Sequence, residues 1–194
     1  MTVLRQWLSV WMEWLLLGVG LGCLGSYAYE TLQARRFQSE QAAAFARSAH
    51  AGAPVSVRSG GLVGMLDVPR LKLTTPVIEG DDDRTLKRAV GHLPDTPLPW
   101  EDGNSVVAGH RDGLFRPLKD IQVGDEIRFR TSRAEFHYRV TETTIVDPDD
   151  LSVLQPRTRN VLTLITCYPF YFVGNAPRRF IVHAETLTSA AQPR

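Results

Sequence analysis

The chain has 194 residues, room for one ordinary domain of roughly 100 to 150 residues and an appendage. Lysine and arginine number 22 against 21 aspartate and glutamate, and a formal charge of +1 gives no electrostatic case for nucleic acid as a partner. Only two cysteines occur, Cys23 and Cys167, in segments of very different character, which argues against a structural disulfide and leaves each thiol to be explained alone.

The first element is an apolar run. From Trp7 to Tyr29 the only charge is Glu13, and a helix over this run would rise about 34 Å, enough to cross the hydrocarbon of a bilayer. Trp7, Trp11 and Trp14 at its start and Tyr27 and Tyr29 at its end suit the two interfacial belts. A cleavable signal peptide is the alternative, but the run exceeds a typical h-region and no clean small-x-small site follows it. Gly22 before Cys23 raises lipidation, yet Gly20 stands where a lipobox carries Leu, and Cys23 reads as a small apolar residue of the anchor. Arg5 on one side and Arg35 and Arg36 on the other leave the orientation undecided by charge.

Thr31 to Ala53 is rich in Ala, Gln and Arg and is expected to be helical, dissolving into Gly52, Ala53, Pro54 and a Ser-Gly-Gly segment that ends at Gly61. The expected organisation is an anchor over residues 1–30, a stalk over 31–60, a β domain over 61–188 and a tail over 189–194.

Beyond Gly61 the apolar residues follow a period of two in short runs bounded by Gly, Pro and Asp, the pattern of half-buried strands joined by turns. The spacing predicts strands over 62–68, 75–79, 105–108, 126–130, 136–141, 143–146, 161–166 and 179–184. Short helical pieces are expected around Arg84 to Val90 and Phe115 to Leu118. Many short strands with few helices mean a sandwich or a closed barrel, and periodicity alone does not choose between them.

The strand from Val161 ends at Cys167, because Pro169 cannot continue a ladder, so the thiol sits at a strand end beside a loop. A thiol needs a base or a cation beside it to act as a nucleophile at neutral pH. His110, at the end of the 105–108 strand and after a glycine, is the candidate base. Arg179 lies far enough along the chain for a loop to return it near Cys167. On residue pattern alone, an inert core cysteine remains an equal reading. The other histidines read as structural: His50 in the linker, His92 in a turn before Pro94, His137 on a polar strand face and His183 on the face of Arg179. Asp112 before Gly113 is an ordinary turn pair.

Three blocks make the sequence recognisable: Val107-Ala108-Gly109-His110-Arg111-Asp112, Thr163-Leu164-Ile165-Thr166-Cys167-Tyr168-Pro169-Phe170 and Arg179-Phe180-Ile181-Val182. In order and spacing they resemble the histidine, cysteine and arginine blocks of sortases, and the resemblance runs from about Val63 to Glu185. Cys167-Tyr168-Pro169-Phe170 and the loop through Gly174-Asn175-Ala176-Pro177 look most like the class D branch. The resemblance implies an all-β fold, an eight-stranded closed barrel preceded by a transmembrane helix. It also implies a cysteine transpeptidase that cuts a C-terminal Leu-Pro-x-Thr-Gly-like sorting motif after Thr and passes the thioester to an amine. The partners would be surface proteins carrying that motif and an amine acceptor, a cell-envelope peptide or a pilin lysine.

Carried over by residue, Cys167 attacks the carbonyl, His110 protonates the leaving amine and Arg179 supports the oxyanion or holds the substrate. Ala108, Ile165 and Thr166 would line the groove. Arg178, adjacent to Arg179 but on the opposite strand face, reads as a solvated loop charge. No cofactor is implied. Some sortases bind calcium, but neither Asp81-Asp82-Asp83 nor Asp147-Pro148-Asp149-Asp150 has EF-hand spacing, and no metal site is expected. A cysteine hydrolase on the same barrel and a non-enzymatic tethered β domain are the competing readings. An L,D-transpeptidase fits poorly, because Thr166 rather than Gly precedes Cys167. Sorting substrates emerge outside the cell, so the barrel is expected extracytoplasmic and the amino terminus cytoplasmic.

Overall fold

The computed structural model describes residues 2–51, 57–132, 134–172 and 174–187. Two compact units result, Met1–Phe37 and Gln38–Arg194. In the first, helix α1 (Thr2–Ala51) begins, and its side chains from Trp11 to Glu30 are exposed along all faces. The helix contains a stretch long and apolar enough to cross a membrane, and a helix apolar on every side is suited to a lipid surround. The Gly52-Ala53-Pro54 part of the expected linker and the tail over 189–194 lie outside the described residues.

The second unit is a closed barrel of eight strands: β1 (Leu62–Val68), β2 (Leu73–Glu79), β3 (Val90–His92), β4 (Asn104–Gly109), β5 (Glu126–Arg130), β6 (Glu135–Val146), β7 (Val161–Tyr168) and β8 (Arg178–Thr186). Their order around the barrel is β1-β2-β3-β4-β7-β8-β6-β5. Closure leaves no unpaired sheet edge. Alternate residues face the interior, where Leu66, Val107, Leu118, Phe129, Leu162, Leu164 and Val182 pack into one fully buried core. Tyr138 enters this core too, and its hydroxyl donates to Pro99 O at 2.8 Å, while burial pushes its ionisation well above the usual phenol range.

Strand β6 spans what the alternation divides into two strands. A register shift between Val140 and Glu142 inverts the apolar phase without ending the ladder to β8. Strand β3 falls where a helix through Val90 was expected. The helix there, α2 (Asp83–Leu86), is one turn long, capped by Asp82 accepting from the Arg84 and Thr85 amides, and the chain then pairs with β2 and β4. His92, expected in a turn, is the last residue of β3 and is buried. Its Nδ1 lies 2.8 Å from Glu79 Oε2 and its Nε2 3.0 Å from Pro97 O, so both ring nitrogens meet acceptors.

Arg70, in the 3-10 turn Pro69–Leu71, ties the β1–β2 connection to the β5 start. It donates to both carboxylate oxygens of Asp125, at 2.5 and 2.6 Å, and to the Asp120 carbonyl. The bidentate arginine holds the Asp125 carboxyl below the usual carboxylate range, helped by the Gln122 amide. A depressed carboxylate stabilises the folded state above its unfolded value and loses that contribution as pH falls through the folded value. Arg70→Met should therefore lower the melting temperature at neutral pH, and the gap to wild type should narrow as pH drops below about 4. Thermal unfolding across a pH series measures it.

Candidate active site

Strands β4 and β7 run parallel, with Ala108 opposite Ile165 and Gly109 opposite Thr166. Strands β7 and β8 run antiparallel, with Cys167 opposite Arg179 and Tyr168 opposite Arg178. The carboxyl ends of β4 and β7 and the amino end of β8 therefore meet at one rim, bringing together His110, Cys167 and Arg179.

Alternation then sorts the side chains. Thr163, Ile165 and Cys167 share the outer face of β7, Ala108 shares it on β4, and Arg179, Ile181 and His183 share it on β8. Ala108, Ile165, His110 and Cys167 are all half-buried. Thr166 is not on that face. Its side chain is 2% exposed and its hydroxyl donates to Gly109 O at 2.7 Å, so it fastens the two parallel strands just below the rim.

His110 is held by its backbone. Its carbonyl accepts from the Gly113 and Phe115 amides, both at 3.2 Å, closing a turn whose far end is anchored by the fully buried Phe115. Burial of that ring contributes roughly 1.5 to 3 kcal/mol. Gly109 is required by this packing, because a Cβ there would lie 2.7 and 2.9 Å from Phe115 ring carbons. Gly109→Ala should cost about 1 to 3 kcal/mol through overpacking and displace the His110 turn, measured by denaturant unfolding together with activity.

Cys167 is a free, half-buried thiol. Among the described residues no hydrogen bond joins it to His110. Catalytic pairs are often loose before substrate binds. Arg179 Nη1 donates to Ala176 O at 3.4 Å and Arg178 O at 3.2 Å, which ties its guanidinium to the backbone just before it. Arg178 is exposed, with Asp147 3.9 Å away.

His183 lies four residues past Arg179, roughly 13 Å along the strand, in a network of its own. Thr163 Oγ1 donates to Asn104 Oδ1 at 2.6 Å, so the His183 Nδ1 at 3.0 Å must be the donor to Thr163. Burial lowers the His183 pKa, with Arg157 acting in the same direction and favouring the neutral ring. The acidic runs have local roles. Asp82 caps α2, and Asp150 caps the 3-10 turn Leu151–Leu154 by accepting from the Ser152 amide. Among the described residues no group of three or more His, Cys, Asp or Glu side chains is placed to hold a metal ion.

Sequence reasoning passed over Arg111, which is 9% exposed beside His110. Its Nη2 donates to Phe172 O and Gly174 O, both at 2.8 Å, in the loop between β7 and β8. Partners 61 and 63 positions away leave no local signal.

The sequence profile of the sortase domain family matches residues 66–187, which is the barrel from the middle of β1 onward and includes His110, Cys167 and Arg179. This chain belongs to the sortase family. Sortases are cysteine transpeptidases, and the class D resemblance agrees with the relatives found. Sortase D of Bacillus subtilis is 40% identical over 131 residues, covering 67% of this chain and 66% of that protein. The match thus spans just under two thirds of that relative's length. Among solved structures, a Clostridium perfringens Sortase D5 transpeptidase superposes with a TM-score of 0.66 at 26% identity, covering 79% of this chain and 97% of that one. Sortase C1 of Streptococcus agalactiae gives 0.63 at 27% identity, covering 71% and 73%.

Proposed function

We propose that this sortase is a membrane-anchored transpeptidase that cleaves a C-terminal Leu-Pro-x-Thr-Gly-like sorting motif between Thr and Gly and transfers the acyl group to an amine. The observation that carries the reading is the β4–β7–β8 register, which sets Cys167 opposite Arg179 and next to the strand end that bears His110.

In this mechanism the Cys167 sulfur attacks the Thr carbonyl, forming a C–S bond as the carbonyl π electrons move to oxygen. Collapse of the tetrahedral species breaks the C–N bond, and His110 gives a proton to the leaving amine. Arg179 donates toward the negative charge that develops on oxygen, or holds the motif for attack. The incoming amine then adds to the thioester, loses a proton to His110 and expels the thiolate. Thiol, imidazole and guanidinium supply every group that these steps use. Ala108 and Ile165 would floor the groove with small and branched apolar surface, while Thr166 would contribute its backbone alone.

The proposed organisation keeps residues 1–30 as a single-pass anchor, 31–60 as stalk and 61–188 as catalytic barrel. Substrates would be surface proteins with the sorting motif, and the acceptor a cell-envelope peptide or a pilin lysine. The barrel would face outside and the amino terminus the cytoplasm. A reporter fused after Arg194 should be active only in the extracytoplasmic space; activity confined to the cytoplasm would reverse the assignment.

The central test mixes the full chain, in detergent, with a Leu-Pro-x-Thr-Gly peptide library and follows intact mass with and without an added amine. A covalent adduct on Cys167, resolved by the amine into a new peptide bond, is the expected outcome, and Cys167→Ala should form none. Adduct released only to water would make the protein a hydrolase. Arg179→Lys should be far more damaging than Arg178→Lys, since an ammonium does not reproduce a planar fork of donors, and equal losses would sink the role given to Arg179.

A further inference from the structure

The loop between β7 and β8 begins at Pro169, two residues after Cys167, and ends at Pro177, two residues before Arg179, so its position bears on both. Three cationic side chains of the segment that follows His110 lie against it. Arg111 donates from Nη2 to the carbonyls of Phe172 and Gly174 at 2.8 Å each, and its guanidinium carbon lies 5.8 Å from the Phe172 ring centre. The Arg116 guanidinium carbon lies 6.0 Å from the centre of the Tyr171 ring. The Lys119 pKa is raised, chiefly by Asp120 and in smaller part by Tyr171.

Arg111 is the buried member of the three. At 9% exposure it has no carboxylate within ion-pair distance among the described residues, and its Nη1 is buried without a hydrogen-bond partner among them. A cation placed for general stability would pair with an acid or reach solvent. This one is instead solvated by loop carbonyls and an aromatic face. It is also bonded covalently to His110, whose carbonyl is already closed into the turn anchored by Phe115. A residue so placed limits how His110 can move relative to the loop that joins Cys167 to Arg179.

We propose that Arg111 is a positioning residue that clamps the β7–β8 loop to the His110 turn and thereby holds His110, Cys167 and Arg179 in register for catalysis. It touches none of the reacting atoms and acts through the loop and its own backbone. The proposal deepens the transpeptidase reading and rests on it.

Arg111→Met keeps the stem and removes the donors, and Arg111→Lys keeps one point donor. In the full chain, Arg111→Met should lower kcat roughly ten- to a hundredfold, as small misplacements of catalytic groups do, with KM nearly unchanged. Arg111→Lys should recover part of the loss. Chymotrypsin cleavage after Tyr171 or Phe172 should accelerate in Arg111→Met as the loop opens locally. Alkylation of the half-buried Cys167 by iodoacetamide should accelerate with it. Arg70→Met, which breaks the Asp125 ion pair and leaves every Arg111 contact in place, should reduce thermal stability and leave kcat as in wild type.

A folded Arg111→Met with unchanged kcat overturns the positioning role, as does a kcat loss matched by Arg70→Met. Unchanged loop cleavage overturns the clamp. If the wild-type chain turns over no sorting peptide, the functional reading has failed. The protease and alkylation arms, which need no substrate, then decide the clamp by themselves.

Discussion

The structure depends on the pairing of β4 with β7 in parallel and of β7 with β8 in antiparallel. Parallel pairing sends two strand ends to the same rim, and the antiparallel neighbour begins its return there. A one-residue slip on either side would turn Cys167 or Arg179 to the opposite face, because side chains alternate with period two. Barrel closure resists such slips, since every strand is registered on both sides and one slip must be absorbed by the whole ring.

Packing beneath the rim translates that register into side-chain placement. Leu162, Leu164 and Val107 hold the inner faces of β7 and β4, while Thr166 and Gly109 join the strands just below the site. Phe115 reaches back under Gly109 and pulls the His110 turn against the barrel. The histidine is thus positioned by an interior ring five residues later, through its own backbone. Buried polar groups elsewhere, such as Glu79 with His92 and Asn104 with Thr163 and His183, are satisfied by one another. They join separate strands without exposing their polar atoms to apolar surroundings.

The loop after Cys167 is the least strand-like part of the site, and cationic side chains from the neighbouring turn restrain it. Carbonyls of Phe172, Gly174 and Ala176 all accept from arginines, two from Arg111 and one from Arg179. Loop backbone that lacks a ladder must find donors elsewhere, and arginine supplies several from one planar group. The same interactions that satisfy this backbone bring the His110 turn to the Cys167 loop.

Features that local chemistry encodes were legible from the order of residues. Turn residues at both ends marked strands β1 and β5 at their observed limits, and β5 alternates buried with half-buried positions along its length. The three blocks around His110, Cys167 and Arg179 named the family, and the apolar run from Trp7 to Tyr29 announced the long helix. Local signals failed where a residue's role is set by a distant partner. Strand β3 has three residues, too few for periodicity, and exists because β2 and β4 offer it pairing on both sides. Strand β6 looked like two because a bulge reverses the alternation that sequence patterns rely on. Thr166 is a groove residue by the family resemblance, but the pleat turns its side chain to the opposite face from Cys167 and gives its hydroxyl to Gly109. Tertiary structure alone decided the place of Arg111, whose partners are 61 and 63 positions away in the β7–β8 loop.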